Sequence, residues 1–69
     1  MDAKKIKPLM ECQVTSPTGK WVLGRIIRRG GWRMRGIEMF LVSYMAVTGY
    51  KEEWRGANHI RPRETVLPN

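Results

Sequence analysis

The chain has 69 residues and a formal net charge of +7, from 13 lysines and arginines against 6 aspartates and glutamates. This length allows one domain at most, and no apolar run reaches the roughly 18 residues that a membrane span requires. One cysteine and one histidine exclude an internal disulfide and a zinc site built by this chain alone, so the sequence predicts a single domain without metal or cofactor.

The excess of positive charge predicts an anionic partner, because net charge governs what a protein attracts rather than how it folds. The basic residues are also concentrated, since residues 19–37 contain six basic residues and no acidic one. The opening "MDAKKIKP" lacks the apolar segment of a secretory signal. We therefore expect an intracellular protein, nuclear in a eukaryote and cytoplasmic or in the nucleoid in a prokaryote or virus, with no membrane partner.

The start of the chain predicts a flexible basic arm, residues 1–8, followed by a domain over residues 9–63. Residues 9–16 predict a short strand, in which Cys12 acts as a small buried hydrophobe. The following "SPTG" predicts a turn, because proline pre-sets φ and glycine accepts a positive φ. At the other end, residues 64–69 predict a flexible tail.

Two apolar strands with a glycine-rich connection come next. Residues 20–29, "KWVLGRIIRR", are rich in β-branched and aromatic residues and predict a strand. Alternation puts Gly24 and Ile26 on one face, and a glycine inside a strand marks a bend or close packing. Residues 37–44, "IEMFLVSY", predict the strongest strand of the chain. Between them, residues 29–36, "RGGWRMRG", predict a loop.

The remaining sequence predicts shorter elements. "MAVTGYK" predicts a second connection, "EEW" a short strand, "RGANH" a tight turn or one helical turn, and "IRPR" a last strand. Five short strands in about fifty residues predict a small β-barrel, since closing a sheet removes its exposed edges. The alternative, a helix over "IEMFLVSYMAV", is disfavoured by the β-branched and aromatic content of that segment.

Three segments follow one another in a characteristic order: "GKWVLGRII", then "FLVSY", then "TGYKEEWRGANHIRP". This order resembles the Tudor, chromo-barrel and Agenet group of SH3-like barrels. In that group an aromatic opens the second strand, a tyrosine ends the third, and "D/E-E-W" precedes a turn and an "I/L-x-P" strand. The resemblance covers residues 9–63 and implies an all-β, five-stranded SH3-like (Tudor-like) barrel, with a short 3₁₀ turn at "GANH" before the last strand.

The resemblance also implies a reader of methylated lysine or arginine in histone or other tails, in which aromatic ring faces surround the cation. Carried over by position, Trp21 matches the aromatic after the first turn, and Tyr44 matches the tyrosine that ends the third strand. Trp54 matches the "E-E-W" tryptophan, which in chromo barrels belongs mainly to the core. A Tudor-type alignment through "TGY" adds Tyr50, so the candidate aromatic cage is Trp21, Tyr44 and Tyr50.

The segment "RRGGWRMRG", residues 28–36, carries four arginines and a tryptophan around two glycines. It predicts either a solvated hairpin with Trp32 folded back, or a phosphate-binding tip with Trp32 free to stack on a base or enter a groove. Cations on phosphates supply most non-specific affinity, and arginine with aromatic residues is the combination that binds single strands. We favour the second interpretation, with nucleic acid, DNA or RNA, as the partner. The predicted contacts are Lys20, Arg25, Arg28, Arg29, Trp32, Arg33 and Arg35.

Two further function classes stay open beside nucleic-acid binding. One is the methyl reader, and the other is a small subunit that docks on a partner protein through Met34, Met39 and Met45. An enzyme is not expected, because the adjacent Glu52 and Glu53 point to opposite faces of a strand and a lone histidine without a nucleophile makes no active site. The sequence therefore predicts a non-catalytic binding module.

Overall fold

The computed structural model of the chain describes residues 1–64, so most of the predicted tail lies outside the described residues. Five strands form one antiparallel sheet, and two short 3₁₀ turns accompany them. The strands are β1 (Glu11–Thr15), β2 (Trp21–Met34), β3 (Ile37–Ala46), β4 (Gly49–Gly56) and β5 (Ile60–Pro62). The 3₁₀ turns are Ala3–Lys5 and Ala57–His59. The predicted all-β fold, with five strands and a 3₁₀ turn directly before the last one, is confirmed.

The strand order in the sheet is β4-β3-β2-β1-β5, with every neighbouring pair antiparallel. Strand β2 is long enough to pair with β1 near its start and with β3 along the rest of its length. Where both pairings overlap, a Cβ on Gly24 would lie 2.7 Å from the carbonyl oxygen of Ser43 and 2.9 Å from a methyl group of Val14. Glycine is therefore required there for close packing, and the strands curl into a compact, barrel-like sheet.

The core lies on the inner face of this sheet and follows the alternation of the strands. In β3, Phe40, Val42 and Tyr44 are buried, as expected for every second residue of a strand that covers a core. Cys12 on β1 is buried with them, and this burial raises the pKa of its thiol to about 11. Its predicted role as a small hydrophobe is confirmed.

The first residues of the chain contribute to the core, although the sequence predicts a flexible arm there. Ile6 is 1% exposed and belongs to the core cluster. The 3₁₀ turn Ala3–Lys5 precedes it, and the amino group of Met1 donates hydrogen bonds to the carbonyl oxygens of Ala57 (3.0 Å) and Ile60 (2.9 Å). The lysines around Ile6 face solvent. Because they make the segment polar on average, its composition does not reveal that Ile6 is buried.

The connection between β2 and β3 is much shorter than predicted. The sequence predicts a loop over residues 29–36, but β2 continues to Met34, which pairs with Ile37. Only Arg35 and Gly36 form the turn, with φ of 51° and 79°. Positive φ at both central residues is the geometry of a type I′ turn, whose twist matches that of the flanking strands. The predicted loop is thus a β-hairpin.

Within residues 1–64, no helical segment is long and apolar enough to cross a membrane. No three histidine, cysteine or acidic side chains in this part of the chain come together as potential metal ligands.

Candidate functional site

The far end of the β2–β3 hairpin extends beyond the other strands of the sheet. Strand β2 pairs with β1 only up to Arg25, and β3 pairs with β4 only from Met39 onward. Residues 30–38, which we call the hairpin arm, therefore have no third strand beside them. Every residue from 31 to 36 is exposed, so the arm presents its side chains to solvent.

Glycine is required at Gly30 and Gly31, at the base of the arm, for two different reasons. Between the pairs Arg29–Phe40 and Arg33–Glu38 the register shifts, because a bulge gives β2 more residues than β3. Gly31, in this bulge, has φ of 79°, which glycine adopts without strain. A Cβ on Gly30 would lie only 2.8 Å from the ring of Trp54 and 2.9 Å from the indole nitrogen of Trp32.

Two tryptophans and an arginine meet over this bulge and form what we call the tryptophan cluster, Arg28, Trp32 and Trp54. The rings of Trp32 and Trp54 pack edge to face, with centroids 5.5 Å apart and planes at 69°. The guanidinium carbon of Arg28 lies 5.2 Å from the centroid of the Trp54 ring. Leu41 lies between Arg28 and Trp54 in the strand pairing. Trp32 remains 39% exposed, so part of its aromatic surface faces solvent.

Trp54 is the member of this cluster that sequence reasoning missed. Its match to the "E-E-W" motif predicts a structural role, mainly in the core. In the structure it is half-buried and pairs with Leu41, beside Trp32. The position depends on the β3–β4 register and on the bulge in β2, and neither leaves a signal in the local sequence around Trp54.

Two of the predicted phosphate contacts are engaged within the protein. Arg25 donates a hydrogen bond to Glu11 at 3.2 Å. Arg29 forms an ion pair with Glu38 and donates to the backbone carbonyls of Ala3 (3.2 Å) and Ile6 (3.3 Å). Arg29 therefore ties the N-terminal segment to β2, and its guanidinium is committed to the fold.

The other predicted cations have no acidic partner among residues 1–64. Arg28, Arg33 and Arg35 are exposed and form no ion pair in this part of the chain. Glu38 stands opposite Arg33 in the hairpin, but its carboxylate binds Arg29. Lys20 precedes the start of β2, at the opposite end of that strand from the arm. Of the six predicted cations, Arg28 thus lies over Trp54 beside Trp32, and Arg33 and Arg35 lie on the same hairpin as Trp32.

The three residues of the candidate aromatic cage do not come together. Trp21 has the guanidinium carbon of Arg61 4.0 Å from its ring centroid, so one ring face is already covered. Tyr44 points into the core, is 2% exposed and donates its hydroxyl to Glu53. Tyr50 lies on β4 and is 77% exposed. Tyr44 and Tyr50 both line one open groove on the sheet, and Trp21 is not among the residues that line it. The three rings therefore do not form one cage around a methylated cation.

Tyr44 belongs instead to a polar network that joins β4 to β1. Its hydroxyl lies 2.8 Å from one oxygen of Glu53, and Arg55 donates to the other oxygen at 2.8 Å. Arg55 also donates to the carbonyl oxygen of Thr15 at 2.8 Å. The hydrogen bonds from Tyr44 and Arg55 lower the pKa of Glu53, while burial, followed by the bond to Glu53, raises the pKa of Tyr44. The network holds the end of β1 against β4.

The methionines predicted to dock on a partner protein are also dispersed. Met34 is exposed on the hairpin arm, Met39 is buried, and Met45 is exposed near the other end of β3. Met45 lines an open groove of about 680 Å³ on the sheet. The other apolar and aromatic residues that line this groove are Leu9, Leu23, Ile27, Tyr44 and Tyr50.

Comparison with known proteins does not assign the chain to a family. A scan against family models, a search of curated proteins and a search of solved structures each found no match. The functional interpretation therefore depends on the residues of this chain and on their geometry.

Proposed function

We propose that the protein is a non-catalytic module that binds nucleic acid, DNA or RNA, through the hairpin arm and the adjoining tryptophan cluster. The observation that carries the proposal is an exposed tryptophan, Trp32, on a hairpin whose arginines Arg28, Arg33 and Arg35 lack an acidic partner in residues 1–64. Phosphates would neutralise these cations, and a base would cover the exposed ring.

The electrostatics of the arm support a ligand rather than a purely structural role. Arg28, Arg33 and Arg35 repel one another, and their repulsion contributes nothing to folding. The acids of the same region do not compensate them, because Glu38 is bound by Arg29. An anionic ligand removes this repulsion and releases counterions from its own phosphates as it binds.

We further propose that the barrel-like sheet is an SH3-like barrel of the Tudor, chromo-barrel and Agenet type, in an intracellular protein. Support comes from the order of the three sequence segments and from the 3₁₀ turn Ala57–His59 directly before β5. A fold of this type does not fix its function. The separation of Trp21, Tyr44 and Tyr50 favours the nucleic-acid contact over the methyl reader.

The proposal is tested by titrating ¹⁵N-labelled protein with a 12-base-pair DNA duplex, a 12-nucleotide DNA strand and a 12-nucleotide RNA at two salt concentrations. We expect the amides of residues 28–36 and the Trp32 indole to shift, and the shifts to weaken at the higher salt concentration. If none of the three nucleic acids moves these resonances at low salt, the proposed function is wrong.

A pair of variants with equal charge separates a specific contact from general attraction. The double variant Arg33→Gln and Arg35→Gln removes two exposed cations from the arm, and Lys4→Gln with Lys5→Gln removes two exposed cations from the N-terminal 3₁₀ turn. Each phosphate contact adds about 0.7–0.9 to the slope of log affinity against log salt. The arm variant should lower that slope by about 1.5 and the lysine variant should change it much less. Equal losses would show that only net charge matters.

A further inference from the structure

We infer that the ligand of the hairpin arm is single-stranded nucleic acid, with one base stacked on the exposed ring of Trp32. This inference rests on the proposed function and names the form of nucleic acid that the same surface accepts. It comes from how Trp32 is held, from where Trp32 lies in the hairpin, and from the cations around it.

Trp32 is fixed in place before any ligand arrives. Its ring packs edge to face on Trp54, and Gly30 leaves room beneath both indoles. The bulge that carries Trp32 is anchored on both sides by the pairs Arg29–Phe40 and Arg33–Glu38. A ring that is already ordered costs little further entropy when a base stacks on it.

The position of Trp32 suits an unpaired base better than a duplex. Bases in a duplex cover each other's faces, and a protein reaches those faces only by wedging a side chain between base steps, which costs a few kcal/mol per step. The tip of the arm is the turn Arg35–Gly36, and Trp32 lies behind it against Trp54. From this position Trp32 can receive a base on its surface, whereas a wedge would have to leave Trp54.

One cation lies beside this stacking surface and two lie further along the arm. Arg28 lies over Trp54, next to Trp32, and Arg33 and Arg35 follow Trp32 in the hairpin. The phosphates next to a stacked base would therefore meet Arg28, and a strand that continues along the arm would pass Arg33 and Arg35. Stacking on an aromatic ring combined with cations along the backbone is how proteins bind single strands with little sequence preference. The competing arrangement, a two-stranded β-ribbon in the major groove, uses the arginines and leaves the ring of Trp32 without a stacked base.

The inference is tested by the affinities of a 12-nucleotide deoxythymidine strand and a 12-base-pair duplex at one salt concentration, for the native chain and three variants. Trp32→Gln removes the ring, and Trp32→Phe keeps a smaller ring. Tyr50→Gln removes another exposed ring, on β4 and away from the arm, as a matched control. We expect the native chain to prefer the single strand. Trp32→Gln should weaken single-strand binding on the order of 10- to 100-fold, with the salt slope unchanged, because no phosphate contact is lost.

Trp32→Phe should recover part of this affinity, and Tyr50→Gln should bind as the native chain does. If Trp32→Gln fails to fold, an upfield shift of the Trp32 indole proton in the native chain, present with the strand and absent with the duplex, reports the stacking directly. The inference is overturned if the duplex binds as tightly as the strand, or if Trp32→Gln leaves single-strand affinity unchanged; the proposed function survives both results. Failure of both nucleic acids to bind overturns both proposals.

Discussion

At the scale of single residues, Glu53 makes the stability of the fold depend on pH. Hydrogen bonds from Tyr44 and Arg55 lower its pKa in the folded state below the ordinary value. A carboxylate of this kind contributes stability above its unfolded pKa, and the contribution is lost as pH falls through the lower folded pKa. We expect the free energy of unfolding to decrease as the solution is acidified from about pH 5.

The matched variant is Glu53→Gln, which keeps the shape of the side chain and removes its titration. It should be less stable than the native chain at pH 7, because Arg55 loses its anionic partner, and the difference should shrink in acid. Urea unfolding curves at several pH values between 3 and 7 measure both effects. A constant stability difference across that range would contradict the role given to Glu53.

The features of the candidate site that can be read from the sequence are those whose character is local. Trp32 and the arginines of the arm can be recognised because charge and aromatic side chains cluster within nine residues, from 28 to 36. Whether each arginine is free depends on distant residues, as when Arg29 binds the carbonyls of Ala3 and Ile6. Trp54 could not be assigned to the cluster for the same reason, since it reaches Trp32 only through the pairing of β4 with β3.

At the scale of elements, the two glycines of the bulge give a pair of contrasting variants. In Gly31→Ala the added methyl group meets no atom within 4 Å, but φ is 79°, and this backbone conformation should cost about 1–2 kcal/mol of stability. In Gly30→Ala the methyl group meets the ring of Trp54 at 2.8 Å and the carbonyl oxygen of Met39 at 2.9 Å. We expect Gly30→Ala to lower the stability of the fold and also to displace the indole rings of Trp32 and Trp54.

Thermal unfolding and the indole resonances in a ¹⁵N spectrum distinguish the two effects. Gly31→Ala should lower the melting temperature and leave the indole resonances of Trp32 and Trp54 near their native positions. Gly30→Ala should lower the melting temperature and shift both resonances. Native indole positions in a folded Gly30→Ala protein would mean that the cluster does not pack over this glycine.

The hairpin arm is the element that the sequence describes least well. Glycines and like charges are typical of loops, and they hide the fact that Arg33 and Met34 continue β2 in register with Glu38 and Ile37. The bulge absorbs the glycines, so a segment with the composition of a loop forms a paired strand. In contrast, β3 could be predicted from its composition and alternation alone, because its apolar residues cover the core.

At the scale of the whole molecule, the N-terminal segment should be part of the cooperative fold. A domain of this size is stable by roughly 3–10 kcal/mol, and truncating a buried isoleucine costs about 2–5 kcal/mol. Ile6→Ala should therefore remove a large share of the total stability, because Ile6 is buried in the core. Lys4→Ala, on the exposed 3₁₀ turn, should change stability by less than about 0.5 kcal/mol. Urea unfolding of both variants measures this difference. If Ile6→Ala is as stable as Lys4→Ala, residues 1–8 are a flexible arm that adds nothing to the stability of the fold.

The architecture of the molecule could largely be predicted from the sequence, and its boundaries could not. Short alternating strands between turn residues indicate an all-β domain, and a glycine such as Gly24 indicates close packing. A single isoleucine among lysines carries no periodic signal, so the docking of the N-terminal segment becomes visible only in three dimensions. Net charge predicts an anionic partner, but only the folded chain separates the arginines that hold the fold from those on the arm.

In the turn at the tip of the hairpin, the residue that best suits the backbone conformation is not the residue that carries a positive charge. Type I′ turns favour Asn-Gly, because asparagine tolerates positive φ better than most residues, whereas this turn holds Arg35 at φ of 51°. An engineer who wanted only a more robust scaffold would replace Arg35 with asparagine. The same exchange would take a cation from the tip of the arm, so a more stable scaffold and the proposed contact with an anion make opposing demands on this residue.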